Sequence, residues 1–126
     1  MKTLNADTLD RVILDAQQSG KIPPTGVVLN LGDGLHTKKA FERAGYKFHD
    51  YEALGLRPSE ADILFIDPFP GVMHEVFQLF REQAKPTARL LAIGAEEQWQ
   101  YAGDPGVIHV GTVRLPENGT YTVYRK

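Results

Sequence analysis

Residues 61–71 read Ala61-Asp62-Ile63-Leu64-Phe65-Ile66-Asp67-Pro68-Phe69-Pro70-Gly71. A strand with one face in water alternates apolar and polar side chains. A continuous apolar run this short is read instead as a strand covered on both faces. Pro68 and Pro70 lack the amide hydrogens that a sheet ladder needs, so pairing stops at Asp67 and the chain turns.

The pattern recurs on either side. Gly26-Val27-Val28-Leu29-Asn30-Leu31 lies between Pro24 and Gly32, and Arg89-Leu90-Leu91-Ala92-Ile93-Gly94 follows Pro86. Helical spacing fills the intervals. Leu9, Val12, Ile13 and Ala16 form a stripe ahead of Gly20, and Met73, Val76, Phe77, Phe80 and Ala84 form another over 72–84. Residues 38–44 carry Ala40 and Phe41 inward, with Thr37 placed to cap the helix and Gly45 to end it. Tyr46-Lys47-Phe48-His49-Asp50-Tyr51 alternates with period two and predicts a strand near a sheet edge.

Buried strands alternating with helices call for a mainly parallel sheet between two helical layers. Towards the C-terminus, residues 96–102 predict a short helix. Residues 107–115 and 120–124 predict two strands around Pro116-Glu117-Asn118-Gly119, whose Asn-Gly pair signals a hairpin. The expected fold is α/β, a Rossmann-like three-layer sandwich. Its mainly parallel sheet ends in a C-terminal antiparallel hairpin, within one domain over 1–126.

Composition narrows the function. With 42% hydrophobic and 24% charged residues the chain reads as a folded, water-soluble body. A net charge of −2 excludes a broad basic face for a phosphate backbone, so any nucleic acid is met locally. The absence of cysteine removes disulfides, thiolate nucleophiles and Cys-type zinc sites. His36, His49, His74 and His109 show no metal-ligand spacing, so no metal is expected. The sequence carries neither a membrane-spanning run nor a secretory signal, which makes the cytoplasm the expected location.

In an open parallel sheet, ligands bind where strands on either side of the switch point present their carboxyl ends. Two loops fall there. Gly32-Asp33-Gly34-Leu35-His36 lets backbone approach a ligand closely, with Asp33 favouring a cationic or neutral group over phosphate and His36 beside the crevice. The same glycines also suit a plain strand-to-helix turn. Asp67-Pro68-Phe69-Pro70 offers acceptors for an amino group and a ring to stack on a planar one. Its structural reading is a stiff turn in which Asp67 caps the next helix. Acyl hydrolysis and nucleoside triphosphate cleavage lack their motifs, and Glu96 and Glu97 are explained by capping and solvation.

With both loops placed, the chain resembles the class I S-adenosylmethionine-dependent methyltransferases. Residues 4–19 look like the leading helix of that family. Val27-Val28-Leu29-Asn30-Leu31-Gly32-Asp33-Gly34 looks like its first motif, and Ile63-Leu64-Phe65-Ile66-Asp67-Pro68-Phe69-Pro70 like its fourth. Residues 78–93 and 109–125 resemble the family's fifth strand with its preceding helix and its terminal antiparallel strands. The resemblance implies S-adenosylmethionine as cofactor. Gly32, Asp33, Gly34 and His36 would lie along it, and Asp50 or Glu52 would bind its ribose. Asp67, Pro68 and Phe69 would form the transfer site for an amino group of a nucleobase, small molecule or protein. Amino-methylating members place consecutive prolines before the aromatic, whereas this chain has Asp67-Pro68-Phe69-Pro70. The interval from Gly34 to Asp67 is also one strand-helix unit shorter than usual. That shortening supports an alternative, a non-catalytic interaction module on the same fold, contacting a partner or a second copy through Tyr101, Tyr121 and Tyr124. A flavodoxin-like domain fits the alternation but requires a phosphate-binding signature that the chain lacks.

Overall fold

The computed structural model describes residues 6–32, 37–51, 57–66, 73–93, 106–114 and 120–126. In chain order they form α1 (Ala6–Gln18), β1 (Gly26–Asn30), α2 (Thr37–Arg43), β2 (Tyr46–Asp50), β3 (Ile63–Ile66), α3 (Met73–Gln83), β4 (Arg89–Ile93), β5 (Ile108–Arg114) and β6 (Thr120–Arg125). A single 3-10 turn at Pro58–Glu60 precedes β3. The strands make one sheet in the order β2-β1-β3-β4-β6-β5. The first four of these are parallel, whereas β6 runs antiparallel to both β4 and β5.

Side-chain alternation sorts the core into two layers. Val28, Ile63, Phe65, Leu91, Ile93, Tyr121 and Val123 face α1 and α2, where they meet Leu9, Val12, Ile13, Ala16, Ala40 and Phe41. Leu29, Leu64, Ile66, Leu90, Ala92 and Tyr124 face α3, where they meet Val76, Phe77, Phe80 and Ala84. The helical stripes and apolar runs of the sequence thus find each other, and each fully buried large side chain contributes about 1.5–3 kcal/mol. Phe41 is the hub of the first layer, with its ring edge-on to Tyr46 and Phe65 and stacked on Phe48.

The expected edge strand is β2, with Tyr46 buried, Phe48 half-buried and Lys47 and His49 exposed. Gly45 ends α2 at φ 99°, a conformation that costs glycine little. Thr37 is the buried first residue of α2 rather than a cap ahead of it. The helix expected over 96–102, the Asn118-Gly119 turn and the side chains of Met73 and His74 lie outside the described residues. The strands flanking that turn pair as a hairpin should, from Ile108↔Arg125 to Arg114↔Thr120, with an irregularity between His109 and Gly111.

One surface expectation is overturned. Tyr121 and Tyr124 are 0% and 3% exposed, because β6 lies inside the sheet between β4 and β5 and has a helical layer over each face. They are core side chains, unavailable to a partner. Tyr101 lies outside the described residues.

The sheet order also defines the switch point. From β1 the chain moves outward through α2 to β2, then returns past β1 to β3. The described elements between β1 and β3 are one helix, one strand and the 3-10 turn, matching a shortened middle.

Candidate functional site

Strand β1 ends on a polar residue that is only 5% exposed, Asn30. A buried amide is costly unless its donor and acceptor are both satisfied. Asn30 satisfies both within the switch point. Its Nδ2 donates to the Gly32 carbonyl at 2.9 Å and to Asp50 Oδ1 at 2.9 Å, and its Oδ1 accepts from the Gly32 amide at 3.2 Å. Its backbone carbonyl accepts from the Tyr51 amide at 2.9 Å. One side chain therefore ties the first turn of the loop after β1 to the last residue of β2.

This arrangement follows from register. Asn30 is paired with Asp50 on one side and with Phe65 on the other, so the carboxyl ends of β1, β2 and β3 line up. Pairing continues one residue further, with the Leu31 amide donating to the Phe65 carbonyl at 2.8 Å. The two loops singled out in the sequence consequently leave the sheet from adjacent strands.

Gly32, half-buried, and Asp50, exposed, are thus brought together through Asn30. The other sequence-predicted site residues, Asp33, Gly34, His36, Glu52, Asp67, Pro68 and Phe69, lie outside the described residues. Asp50 has one oxygen held by Asn30, and its other oxygen has no partner among the described residues. A carboxylate so presented suits ligand hydroxyl donors. Asn30 was not singled out as a site residue from sequence, although a polar side chain at the end of an apolar strand was a usable signal.

The opposite edge of the sheet has a structural anchor. Asp62 accepts from the Val27 amide at 2.8 Å and from Lys85 Nζ at 2.6 Å. Burial alone would raise its pKa, but the Lys85 hydrogen bond, the Val27 amide and the Lys85 charge outweigh that and hold it below the ordinary carboxylate value. This pair clamps β1, β3 and the turn after α3 at the amino ends of the parallel strands. Of the remaining histidines described, His49 is exposed on β2 and His109 bonds Thr112 at 2.7 Å. No metal-binding group of three or more His, Cys, Asp or Glu side chains occurs among the described residues.

No family model and no curated protein matches the chain in sequence. Solved structures match it in fold. A protein from Escherichia coli proposed to be a methyltransferase superposes with a TM-score of 0.68 at 10% identity, over 99% of this chain and 88% of its own. An RNA methyltransferase from Salinibacter ruber, in complex with S-adenosyl-L-homocysteine, gives 0.57 at 14% identity over 98% and 93%. A methyltransferase from Geobacter sulfurreducens gives 0.56 at 18% over 98% and 80%. The fold is that of the class I methyltransferases. At these identities the likeness is one of fold. In that methyltransferase-like fold, Asn30, Gly32 and Asp50 occupy the carboxyl edge beside the switch point, where the sequence reading placed the site.

Proposed function

We propose that this methyltransferase-like chain, acting as a single cytoplasmic domain, binds S-adenosylmethionine at the carboxyl edge of β1 and β2 and methylates an amino group. The observation that carries the reading is the Asn30-centred junction of Gly32 and Asp50 in a fold shared with methyltransferases. The donor set fits the cofactor. Asp50, with Glu52 two positions on, would supply acceptors for ribose hydroxyls, while Gly32 and Gly34 would pass close to the methionine part, and Asp33 and His36 would complete the cofactor-binding set. Bound there, the cofactor supplies an electrophilic methyl on a sulfonium centre.

The chain's own contribution is mainly orientation. Asp67 and the carbonyl beside Pro68 accept hydrogen bonds from the acceptor amine and aim its lone pair at the methyl. Phe69 stacks on the acceptor's planar group and excludes water. Asp67 or water would take up the proton that the amine gives up on methylation. A nucleobase, a small amine and a protein side chain all present such a group.

The shortened stretch between β1 and β3 favours a second reading, a non-catalytic interaction module or homo-oligomer on the same fold. Its proposed aromatic contact surface has lost Tyr121 and Tyr124 to the core. Calorimetric titration with S-adenosylmethionine and S-adenosylhomocysteine separates the two readings. Saturable binding supports the first, whereas no heat at millimolar ligand, together with a stable oligomer in light scattering, supports the second.

A further inference from the structure

We infer that Asn30 is a positioning residue, which aims the Asp50 carboxylate at a ligand hydroxyl pair and locks that aim to the loop beginning at Gly32. The inference rests on the proposed function for the identity of the ligand, but the Asn30–Asp50 junction stands on geometry alone.

A lone surface carboxylate samples several rotamers, and freezing it on binding costs affinity. Asp50 is spared part of that cost. The Asn30 amide that holds its Oδ1 at 2.9 Å is itself 5% exposed and fixed by two further bonds to Gly32, at 2.9 and 3.2 Å. The choice of an amide is chemically specific. Nδ2 must donate twice, to a carbonyl and to a carboxylate, while Oδ1 accepts from an amide hydrogen. An aspartate at position 30 would keep the acceptor but replace the shared donor with a second negative oxygen against Asp50. Leucine would fill the space and leave three polar groups unserved. The asparagine amide meets all three needs, and it makes the loop and the carboxylate one unit.

The test reads hydroxyl discrimination, which a general structural lesion would not move. S-adenosylhomocysteine and its 2′,3′-dideoxy analogue are titrated into the wild type, Asn30→Asp and Asp50→Asn. The wild type should favour the hydroxylated ligand by about tenfold or more, the value of one charge-assisted hydrogen bond. Asn30→Asp should shrink that preference to about threefold or less, matching Asp50→Asn although the Asp50 carboxylate is still present. A preference in Asn30→Asp equal to wild type overturns the inference, even if both ligands bind more weakly, because that pattern marks mere loss of stability.

A ligand-free measurement separates failure of the inference from failure of the proposed function. In 1H–15N spectra the Asn30 side-chain amide should shift and lose exchange protection in Asp50→Ala, with the Gly32 amide shifting alongside. If the wild type binds neither ligand, the proposed function falls and these resonances decide the junction. Unmoved resonances overturn it, and coupled shifts uphold it.

Discussion

A β-carbon built on Gly26 would lie 2.4 Å from Asp62 Oδ2 and 2.8 Å from its Cγ. The carboxylate cannot step aside, because the Val27 amide and Lys85 hold it from two directions. Gly26 also sits at φ 141°, outside the range of ordinary side-chain-bearing residues. Gly26→Ala should therefore cost about 2–4 kcal/mol, combining backbone strain with a weakened charge-assisted bond. Urea denaturation should show a lower midpoint at unchanged slope.

The same carboxylate makes stability fall in acid. Its folded pKa lies below the ordinary carboxylate value of 3.8, so its contribution is fully present above that value and is lost as pH falls through the folded one. Asp62→Asn should be less stable than wild type at neutral pH and should lose less further stability from about pH 4 downward. Melting curves across that window compare the two slopes. Parallel curves would count against Asp62 as a source of acid sensitivity.

At alkaline pH the tyrosines act with the opposite sign. Burial pushes the Tyr124 phenol up to about 12. Burial raises Tyr121 further, reinforced by its hydrogen bond to the Asp15 carboxylate and by that negative charge. Their neutral forms are favoured in the fold, so their contribution is present below the ordinary phenol value of 10.0 and is lost as pH rises through the folded values. Absorbance at the phenolate band should show these rings ionising only as the protein unfolds.

Tyr121→Phe removes a buried phenol hydroxyl that bonds both Asp15 and Ser19. The ring is 0% exposed and its hydroxyl donates to Asp15 at the end of α1, linking β6 to that helix. Removing the hydroxyl keeps the packing and should cost about 1.5–3 kcal/mol, the worth of a hydrogen bond to a charged group. Asp15→Asn should cost less, since an amide oxygen still accepts. Equal losses would indicate that charge on Asp15 matters more than its acceptor.

Phe41→Ala should be the severest of these changes, at about 3–5 kcal/mol, since three aromatic neighbours lose their shared contact and a cavity opens between α2 and the sheet. Leu14, 51% exposed on α1, is the control, and Leu14→Ala should stay within about 0.5 kcal/mol. Calorimetric melting of both variants measures the contrast.

Much of the architecture is legible in the sequence. The uninterrupted apolar run Ile63-Leu64-Phe65-Ile66 reads as a strand with both faces covered, and the stripe through Val76, Phe77 and Phe80 as the buried side of a helix, and both form so. The alternation over 46–50 announced the edge strand, and the apolar and polar sides fell as expected. These signals are local, because periodicity is imposed by backbone geometry that each segment carries with it.

Tyr121 and Tyr124 mark where local reading stopped. The sequence offers both as partner contacts, but insertion of β6 between β4 and β5 buries them. Strand order is a nonlocal property, and the residues of one strand do not record their neighbours. Asn30 and Asp50 make the same point at the site. By itself the sequence determined that a carboxyl edge would exist near Gly32 and that a carboxylate would stand at the end of the next strand. Only the tertiary structure decided that a buried amide joins them, because parallel register sets residues 30 and 50 side by side across twenty positions of chain.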